Sequence, residues 1–247
     1  MKTYGLIGYP LGHSFSQSYF TEKFKREGLL DCTYRNFPLS AIEKLPELLR
    51  QESGLRGLNV TIPYKQQVLS FLDFSQDVVL KTGACNCIRI DQDQLSGFNT
   101  DVLGFEQSLT RKLKSGHNQA LILGTGGSSQ AVQYVLQKLG IPFALVSRQE
   151  QGDGSVQVFS YQALSREILA AYPLIINTTP VGMYPHIEAC PPLPYEGLTP
   201  HHYLFDLIYN PAMTTFLQWG VRQGAQIQNG YDMLSIQAEA SWTIWNG

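Results

Sequence analysis

The sequence predicts an α/β protein of two parts, one with a mixed, mainly parallel sheet and one with a doubly wound parallel sheet. Short apolar runs typical of strands alternate with helical patterns along the chain, which favours parallel strands joined by right-handed crossovers. A glycine-rich turn at residues 124–131 follows one such strand and precedes a helix. The length of 247 residues suits one large domain or two modest ones, each with its own core.

The composition argues against several classes of partner. The formal net charge is −2 and no run of lysine and arginine occurs, which disfavours nucleic acid and anionic membranes. No apolar stretch approaches the roughly 18 residues of a membrane-spanning helix. Met1 opens directly into a strand-like run without the features of a signal peptide. We therefore expect a soluble, cytoplasmic protein.

The cysteines and histidines predict neither a disulfide framework nor a metal site. Cys85 and Cys87 lie two apart on a predicted strand, so they lack the C-x-x-C spacing of a zinc or redox site. The five histidines show no metal-ligand spacing with the four cysteines. We expect free thiols in a reducing compartment and no metal, which also disfavours a zinc-dependent alcohol dehydrogenase.

In the first half of the chain, the patterns predict strands and helices in alternation. A strand at residues 3–8 leads through the polar loop 9–18 to a helix that stops at Gly28. Further predicted elements are a strand at 33–37, a helix at 41–51, a strand ending at Pro63, short helices at 65–72 and 76–82, and hairpin strands at 84–90 and 94–98. The hairpin gives this sheet an antiparallel edge.

Residues 57–66 carry the first candidate site. Asn59 and Thr61 share a parity along the predicted strand, so their side chains face the same way. Pro63 ends the strand and puts Lys65 just past it, where α/β folds hold their chemistry. An amide, a hydroxyl and an ammonium suit a polyhydroxylated small molecule. The alternative is a surface lysine, which is the commoner outcome for any single lysine.

Two more polar sites precede predicted helices. Ser14 and Ser16 lie two apart, so in an extended loop their hydroxyls project together and can bind a carboxylate near the positive end of the next helix. Helix capping and loop solvation are the alternative. Asp101 is placed either as the N-cap of a helix or as a carboxylate that faces Lys65 across a cleft, and one position can serve both.

The glycine-rich turn has the setting of a dinucleotide-binding fingerprint, between the strand 119–123 and a helix. Gly124 permits the tight turn, and Gly126 lets a pyrophosphate approach the backbone at the helix N-terminus. Ser129 replaces the third glycine of the fingerprint. The next strand ends at Arg148, and an arginine there suits the 2′-phosphate of NADP(H). Glu150 opposes this preference, and a solvated arginine is the alternative reading.

The remaining elements complete a second α/β domain. Residues 149–155 form a polar loop where a doubly wound fold usually has a helix. After it the patterns predict a strand at 156–159, a helix at 161–170, a strand at 174–177, a proline-rich loop at 178–200, a strand at 203–207, a helix ending near 220–224, a strand at 225–228 and a helix at 231–245. Gln237 lies on or beside the buried side of the last helix, where a satisfied surface amide is the alternative to a ligand contact.

The motifs of this chain resemble those of one family, the shikimate dehydrogenases. They are, in chain order, Gly12-His-Ser-Phe-Ser16, Asn59-Val-Thr-Ile-Pro-Tyr-Lys65, Gly83-Ala-Cys-Asn86, Asn99-Thr-Asp101, Gly124-Thr-Gly-Gly-Ser-Ser129, Ile176-Asn-Thr-Thr-Pro-Val-Gly-Met183, Asp206-Leu-Ile-Tyr209 and Gly230-Tyr-Asp-Met-Leu234 with Gln237. They keep the family order and are spread over almost the whole chain.

The resemblance implies reversible NADP(H)-linked reduction of 3-dehydroshikimate to shikimate in aromatic amino-acid biosynthesis. It implies a substrate-binding domain of residues 1–101 and 230–247 and a Rossmann-like NADP-binding domain of residues 102–229. The implied ligand is a small molecule, with neither nucleic acid nor membrane as partner, and the protein is expected to be a monomer or homodimer.

The resemblance also implies a role for each matching residue. Lys65 and Asp101 would be the catalytic pair, and Ser14 and Ser16 would hold the substrate carboxylate. The ring hydroxyls would be bound by Asn59, Thr61, Asn86 and Gln237, with Tyr209 nearby. The cofactor would be lined by Gly124, Thr125, Gly126, Gly127, Ser128, Ser147, Arg148, Thr178, Leu207 and Gly230.

The chain departs from the family pattern at four places. Gln17 stands where a proline usually follows the second serine, and Ser147-Arg-Gln149 replaces the usual Asn-Arg-Thr. The helix after Arg148 is trimmed to a loop, and the chain ends soon after Trp245, short of the usual last helix. Two alternatives therefore stay open, an NAD-using quinate/shikimate dehydrogenase and a catalytically silent NADP-binding regulator.

Overall fold

The computed structural model describes residues 1–11, 15–148 and 156–247. Packing within this part of the chain separates two compact units, Met1–Thr100 with Gln237–Gly247, and Asp101–Ile236. No helix in these ranges is long and apolar enough to cross a bilayer. Ser14 and the predicted polar loop 149–155 lie outside the described residues.

The first unit is built on a mixed sheet. Its strands are β1 (Lys2–Gly8), β2 (Cys32–Pro38), β3 (Leu55–Val60), β4 (Phe74–Ser75), β5 (Cys87–Asp91) and β6 (Gln94–Phe98). They lie in the order β2-β1-β3-β5-β6-β4, and β5 is antiparallel to both of its neighbours while the other pairs are parallel. The predicted hairpin is confirmed as β5 and β6. Its turn holds Gln92 and Asp93 at positive φ, as two-residue hairpins require.

Two hydrophobic cores pack on this sheet. The helices of the unit are α1 (Phe15–Arg26), α2 (Leu45–Gln51), α3 (Tyr64–Gln67) and α4 (Asp77–Thr82), with 3₁₀ turns at Ile42–Lys44 and Val68–Phe71. Leu58 and Val60 of β3 belong to one core, and Phe20 and Trp245 belong to a second, aromatic core. Because successive side chains of a strand alternate, Asn59 faces away from the core that contains Leu58 and Val60.

The second unit is built on a wholly parallel sheet. Its strands are β7 (Ala120–Leu123), β8 (Phe143–Ser147), β9 (Val158–Ser160), β10 (Leu174–Asn177), β11 (Tyr203–Asp206) and β12 (Gln226–Gln228), in the order β12-β11-β10-β7-β8-β9. This is the strand order of doubly wound dinucleotide-binding folds, which bind their ligand at the switch point between the first and fourth strands. Here the switch point lies between β7 and β10.

Helices of the second unit connect these strands. They are α6 (Gly127–Lys138), α7 (Arg166–Ala171) and α8 (Thr215–Arg222), with 3₁₀ turns at Tyr161–Ala163 and Tyr195–Gly197. Two further helices cross the boundary between the units in sequence, α5 (Thr100–Thr110) and α9 (Tyr231–Asn246).

The predicted α/β class with two mainly parallel sheets is confirmed, and three local differences have physical causes. The predicted helix 161–170 is a 3₁₀ turn followed by α7, because the Ser165 side chain caps α7 by accepting from the Ile168 N–H. The strand β4 has only two residues, too few to show a pattern. The first helix begins at Phe15, so Ser16 lies in a helical turn and not in an extended loop.

Candidate functional site

The glycine-rich turn lies at the switch point of the second unit's sheet. Gly124 follows β7 at φ +101, which glycine adopts far more readily than other residues. A Cβ there would lie 3.0 Å from Thr178 Oγ1 and 2.9 Å from Thr179 Cγ2, so this turn packs against the loop after β10. Thr178 Oγ1 also donates to the carbonyl oxygen of Leu123 at 2.7 Å. Two predicted cofactor residues, Gly124 and Thr178, are therefore in contact.

Gly126 leaves the backbone open at the start of α6. It is the exposed N-cap of this helix, with φ −76, and a Cβ built on it would meet nothing within 4 Å. Thr125 is exposed before it, and Gly127 and Ser128 form the first turn, whose N–H groups have no acceptor within a helix. Ser129, in place of the third glycine, is fully buried, at the position where close helix packing needs a small residue. The turn fits a pyrophosphate.

The end of β8 places a cation beside this turn. Ser147 pairs with Ser160 of β9, and the exposed Arg148 follows directly. Burial raises the pKa of Tyr161, the residue after β9, and the positive charge of Arg148 partly offsets that rise. A cation in this place fits the 2′-phosphate of NADP(H). Glu150, which opposed that preference, lies outside the described residues.

Leu207 and Gly230 meet next to the same edge of the sheet. The Leu207 N–H donates to the carbonyl oxygen of Asn177 at 3.0 Å, and the Gly230 N–H donates to that of Ile208 at 3.0 Å. A Cβ on Gly230 would lie 2.6 Å from the carbonyl carbon of Leu207, so only glycine permits this approach. Tyr209 is half-buried two residues after Leu207.

A buried carboxylate holds the loops at this edge. Asp206 is fully buried and accepts from Thr214 Oγ1 at 2.6 Å, from the Ile208 N–H at 3.0 Å and from Asn177 Nδ2 at 3.1 Å. Burial raises the pKa of Asp206 to about 6, against the effect of these three hydrogen bonds. Asp206 therefore ties β10, the segment after β11 and the start of α8 to one point.

In the first unit, Asn59 belongs to a buried set of hydrogen-bonded side chains. Its Oδ1 accepts from Tyr34 Oη at 2.8 Å, and its Nδ2 donates to Ser241 Oγ at 2.9 Å and to the carbonyl oxygen of Asn86 at 3.4 Å. The side chain is 4% exposed. Both amide hydrogens and one lone pair of Asn59 are thus engaged within the protein.

Asn86 and Gln237 meet at Thr100. The Thr100 N–H donates to Asn86 Oδ1 at 2.7 Å, and Asn86 Nδ2 donates to Thr100 Oγ1 at 3.0 Å. Thr100 Oγ1 donates to Gln237 Oε1 at 3.3 Å. Asn86 therefore caps the N-terminus of α5, and the reading of Asp101 as that N-cap is wrong, because Asp101 is the second residue of the helix.

Ser16 reaches the same set of side chains through Tyr34. It lies buried in the first turn of α1, and a hydrogen bond joins it to Tyr34, whose pKa is raised by burial. Farther along α1, Lys23 pairs with Glu239 of α9 at 2.8 Å, and Tyr19 also donates to Glu239. These bonds fix the helix that carries Ser16 against the helix that carries Gln237.

Lys65 and the start of α5 are anchored on consecutive residues. The carbonyl oxygen of Lys65 accepts from the Cys85 N–H at 2.8 Å, and the next residue, Asn86, holds Thr100. Asp101 follows Thr100 directly. Lys65 lies half-buried in α3, and Thr61, also half-buried, lies just past the end of β3.

Sequence reasoning missed three members of the buried polar set, Tyr34, Thr100 and Ser241. Two of them had a usable signal. Ser241 is four residues after Gln237, one helical turn on the same face, and Thr100 precedes Asp101. Tyr34 had none, because its partner Asn59 is 25 positions away.

Comparison with known proteins identifies the family. A family model described as the shikimate dehydrogenase substrate binding domain matches residues 6–88. A curated relative from Carboxydothermus hydrogenoformans, named shikimate dehydrogenase (NADP(+)), is 35% identical over 260 residues, covering 100% of this chain and 92% of the relative. The chain belongs to the shikimate dehydrogenase family.

Solved structures of the family and of one neighbour share the fold. Shikimate 5-dehydrogenase from Thermus thermophilus, in complex with NADP(H) and shikimate, is 28% identical with a TM-score of 0.87, covering 100% of this chain and 94% of that one. Quinate dehydrogenase from Corynebacterium glutamicum, in complex with NAD, is 26% identical with a TM-score of 0.87 and the same coverage. The predicted family and fold class are confirmed, and fold likeness extends to both enzymes.

Proposed function

We propose that this protein is an NADP-dependent shikimate dehydrogenase, an oxidoreductase that reversibly reduces 3-dehydroshikimate to shikimate in aromatic amino-acid biosynthesis. The observation that carries the proposal is the buried polar set of the first unit, in which Asn59, Asn86 and Gln237 are joined through Thr100 and Ser241. A few convergent polar groups in a buried place suit recognition of a small polar ligand. Family membership over the whole chain gives the identity of that ligand.

In the reaction, residues of this chain donate a proton and stabilise a developing negative charge. NADPH, when bound, supplies the hydride that reduces the ketone carbon. Negative charge develops on the ketone oxygen, and the ammonium of Lys65 stabilises that charge and donates the proton that completes the hydroxyl. We assign Asp101 as the acidic member of the same catalytic pair. In the oxidation direction the same proton leaves the hydroxyl.

The anchoring of Lys65 and of the residue before Asp101 supports this pairing. Cys85 holds the backbone of Lys65, and Asn86 holds Thr100 through its side chain. Both catalytic candidates are thus tied to adjacent residues of one buried segment. Rigid anchoring of this kind is what a catalytic pair requires, since small displacements are costly in rate.

The remaining predicted residues receive their roles by the same proposal. Ser14 and Ser16 hold the substrate carboxylate, and Ser16 lies at the positive end of the α1 dipole, which favours an anion. The ring hydroxyls are bound by Thr61, Asn59, Asn86 and Gln237, with Tyr209 nearby. Asn59 contributes one acceptor lone pair, because its other groups are engaged.

NADP(H) is bound at the carboxyl edge of the second unit's sheet. The turn from Gly124 to Ser128 binds the pyrophosphate, Ser147 and Arg148 face the 2′-phosphate, and the rest of the cofactor is lined by Thr178, Leu207 and Gly230. The open space at Gly126 and the exposed cation at Arg148 support this assignment.

One assay tests the proposal and separates its alternatives. Purified protein is given shikimate or quinate with NADP⁺ or NAD⁺, and the formation of reduced cofactor gives kcat/KM for all four combinations. We expect the highest value for shikimate with NADP⁺. A higher value for quinate with NAD⁺ would establish the quinate/shikimate dehydrogenase alternative. Binding of NADP⁺ without turnover of any combination would establish a silent regulator.

Location and assembly belong to the same proposal. We place the enzyme in the cytoplasm, as a monomer or homodimer. Cell fractionation checks the first statement, and light scattering on the purified protein checks the second.

A further inference from the structure

The hydroxyl of Thr100 is surrounded by more polar groups than its single hydrogen can serve. Asn86 Nδ2 lies at 3.0 Å, Asn86 Oδ1 at 3.2 Å, Gln237 Oε1 at 3.3 Å and Ser241 Oγ at 3.3 Å. Thr100 is 3% exposed, and its three partners are also buried. A hydroxyl has one hydrogen and two lone pairs, so the partners decide which bonds form.

Backbone groups fix the orientation of the Asn86 amide and of the Ser241 hydroxyl. The Thr100 N–H can only donate, and it points at Asn86 Oδ1 from 2.7 Å. The Asn86 amide is therefore oriented with Nδ2 toward Thr100 Oγ1, which accepts from it. Ser241 Oγ donates to the backbone carbonyl oxygen of Gln237 at 2.9 Å, so its hydrogen is engaged as well.

The hydrogen of Thr100 is then assigned to Gln237 Oε1 and not to Ser241 Oγ, which lies equally far at 3.3 Å but already accepts from Asn59 Nδ2 at 2.9 Å. Asn86 Oδ1 already accepts the shorter bond from the Thr100 N–H, and the same Asn86 amide already donates to the hydroxyl. Accepting at Oε1 turns Nε2 of Gln237 away from Thr100. Among the described residues none accepts a hydrogen bond from Nε2, so Gln237 presents donors to whatever it recognises.

We propose that Thr100 is a positioning residue that sets the orientation of the Asn86 and Gln237 amides, so that Gln237 recognises a hydrogen-bond acceptor of the substrate. This inference rests on the proposed function. Thr100 itself is not assigned a contact with the substrate, because its hydroxyl is occupied by Asn86 and Gln237. A buried amide left free to rotate would present an acceptor as readily as a donor, at the cost of an unpaired polar group.

The test replaces the hydroxyl while keeping the shape of the side chain. In Thr100→Val we expect KM for shikimate to rise at least about 10-fold, the effect of one lost buried hydrogen bond with its desolvated partner, while KM for NADP⁺ stays within about twofold. Thr100→Ser restores the hydroxyl and should recover most of the affinity. The matched control is Thr110→Val on the same helix, whose hydroxyl donates to two carbonyl oxygens of its own helix.

A second readout separates orientation from mere loss of packing. The affinities of shikimate analogues that each lack one ring hydroxyl are measured for wild type and for Thr100→Val. For each analogue, the loss of affinity relative to shikimate is compared between the two proteins. We expect one analogue to lose much less affinity in the variant than in wild type, because the amide no longer favours that hydroxyl. Equal losses for every analogue would overturn the inference, and so would an unchanged KM for shikimate in Thr100→Val.

Failure of the inference and failure of the proposed function give different results. A wild-type protein that does not turn over shikimate ends the proposed function, whereas an active wild type with an unaffected Thr100→Val ends only the inference. If Thr100→Val does not fold, Thr100→Ala is measured in the same way. A KM for shikimate equal to that of wild type in the alanine variant would also overturn the role assigned to Thr100.

Discussion

Gly126→Ala asks whether the glycine-rich turn is shaped by a ligand or by the protein itself. Gly126 adopts φ −76, which any residue can adopt, and an added Cβ would meet nothing within 4 Å. The protein therefore has no steric need for glycine at this position. If the residue is glycine because a pyrophosphate approaches its backbone, only the ligand will detect the added methyl group.

The expected effects differ in size for folding and for binding. Replacing an N-cap glycine by alanine weakens the cap by roughly 0.5–1 kcal/mol, and the lower entropy of the unfolded chain offsets this by about 0.4–1 kcal/mol. The free energy of unfolding should therefore change little. A methyl group in the path of a closely packed ligand costs about 1–3 kcal/mol, which corresponds to roughly a 5- to 150-fold weaker Kd for NADP⁺.

Two other glycines make the comparison sharp. Gly116→Ala also places its Cβ in open space, but Gly116 precedes β7 whereas the turn follows that strand, so both stability and NADP⁺ affinity should be unchanged. Gly124→Ala forces a side chain at φ +101 against Thr178 and Thr179, and it should lose about 1–3 kcal/mol of stability. Urea unfolding and calorimetric titration with NADP⁺ measure the two quantities. Wild-type NADP⁺ affinity in Gly126→Ala would refute the assignment of this turn to the pyrophosphate.

Four further predictions concern charge. Lys65→Ala should lower kcat by orders of magnitude while shikimate binding stays near normal. Its control is Lys44→Ala, which removes an exposed lysine bonded to Ser40. A modest loss of kcat in Lys65→Ala would contradict the proton-donor role. Arg148→Ala should raise KM for NADP⁺ much more than KM for NAD⁺, and equal changes would remove Arg148 from the 2′-phosphate site. Burial raises the pKa of Asp206 from 3.8 to about 6, so the protonated group stabilises the fold below about pH 4. The free energy of unfolding should fall by roughly 3 kcal/mol as the pH rises through 6. Urea unfolding of Asp206→Asn at the same pH values should not show this fall. Burial lowers the pKa of His117 below 6.5, so the neutral ring stabilises the fold above pH 6.5 and the contribution is lost as pH falls below it; His117→Gln should unfold with a weaker dependence on acid, and an unchanged dependence would contradict this.

The glycine-rich turn of the second unit and the elements around it were predictable because they are contiguous in sequence. The strand, the turn and the helix occupy residues 120–138 without interruption. A fingerprint within such a stretch predicts which residues form the turn with exposed backbone. The parallel sheet follows from alternation of strands and helices with right-handed crossovers, but the strand order does not, because more than one doubly wound order obeys that rule. The contact of Gly230 with Leu207 was not predictable in this way, because two distant segments approach through their backbones.

The polar set of the first unit shows the limit of local patterns. Strand parity places Asn59 on a face, but its partner Ser241 is 182 positions away, and no spacing rule connects β3 to α9. The capping of α5 is a second case. A sequence pattern favours a nearby Asp as N-cap, whereas the fold brings the Asn86 side chain to the Thr100 N–H from 14 positions away. Tertiary packing overrides the local preference.

The three amide side chains of this polar set differ in the hydrogen-bonding groups that the protein leaves available. Asn59, Asn86 and Gln237 are all amides assigned to the ring hydroxyls, yet they differ in what they have left to offer. Asn59 has both hydrogens engaged, so it can only accept, whereas Gln237 accepts from Thr100 at Oε1 and, among the described residues, has no acceptor for its Nε2 hydrogens. A ligand that satisfies both must present a hydroxyl hydrogen to one and an oxygen lone pair to the other. Hydroxyl groups do both at once, which is the physical reason that a polyhydroxylated ring suits this set better than a ligand with donors or acceptors alone.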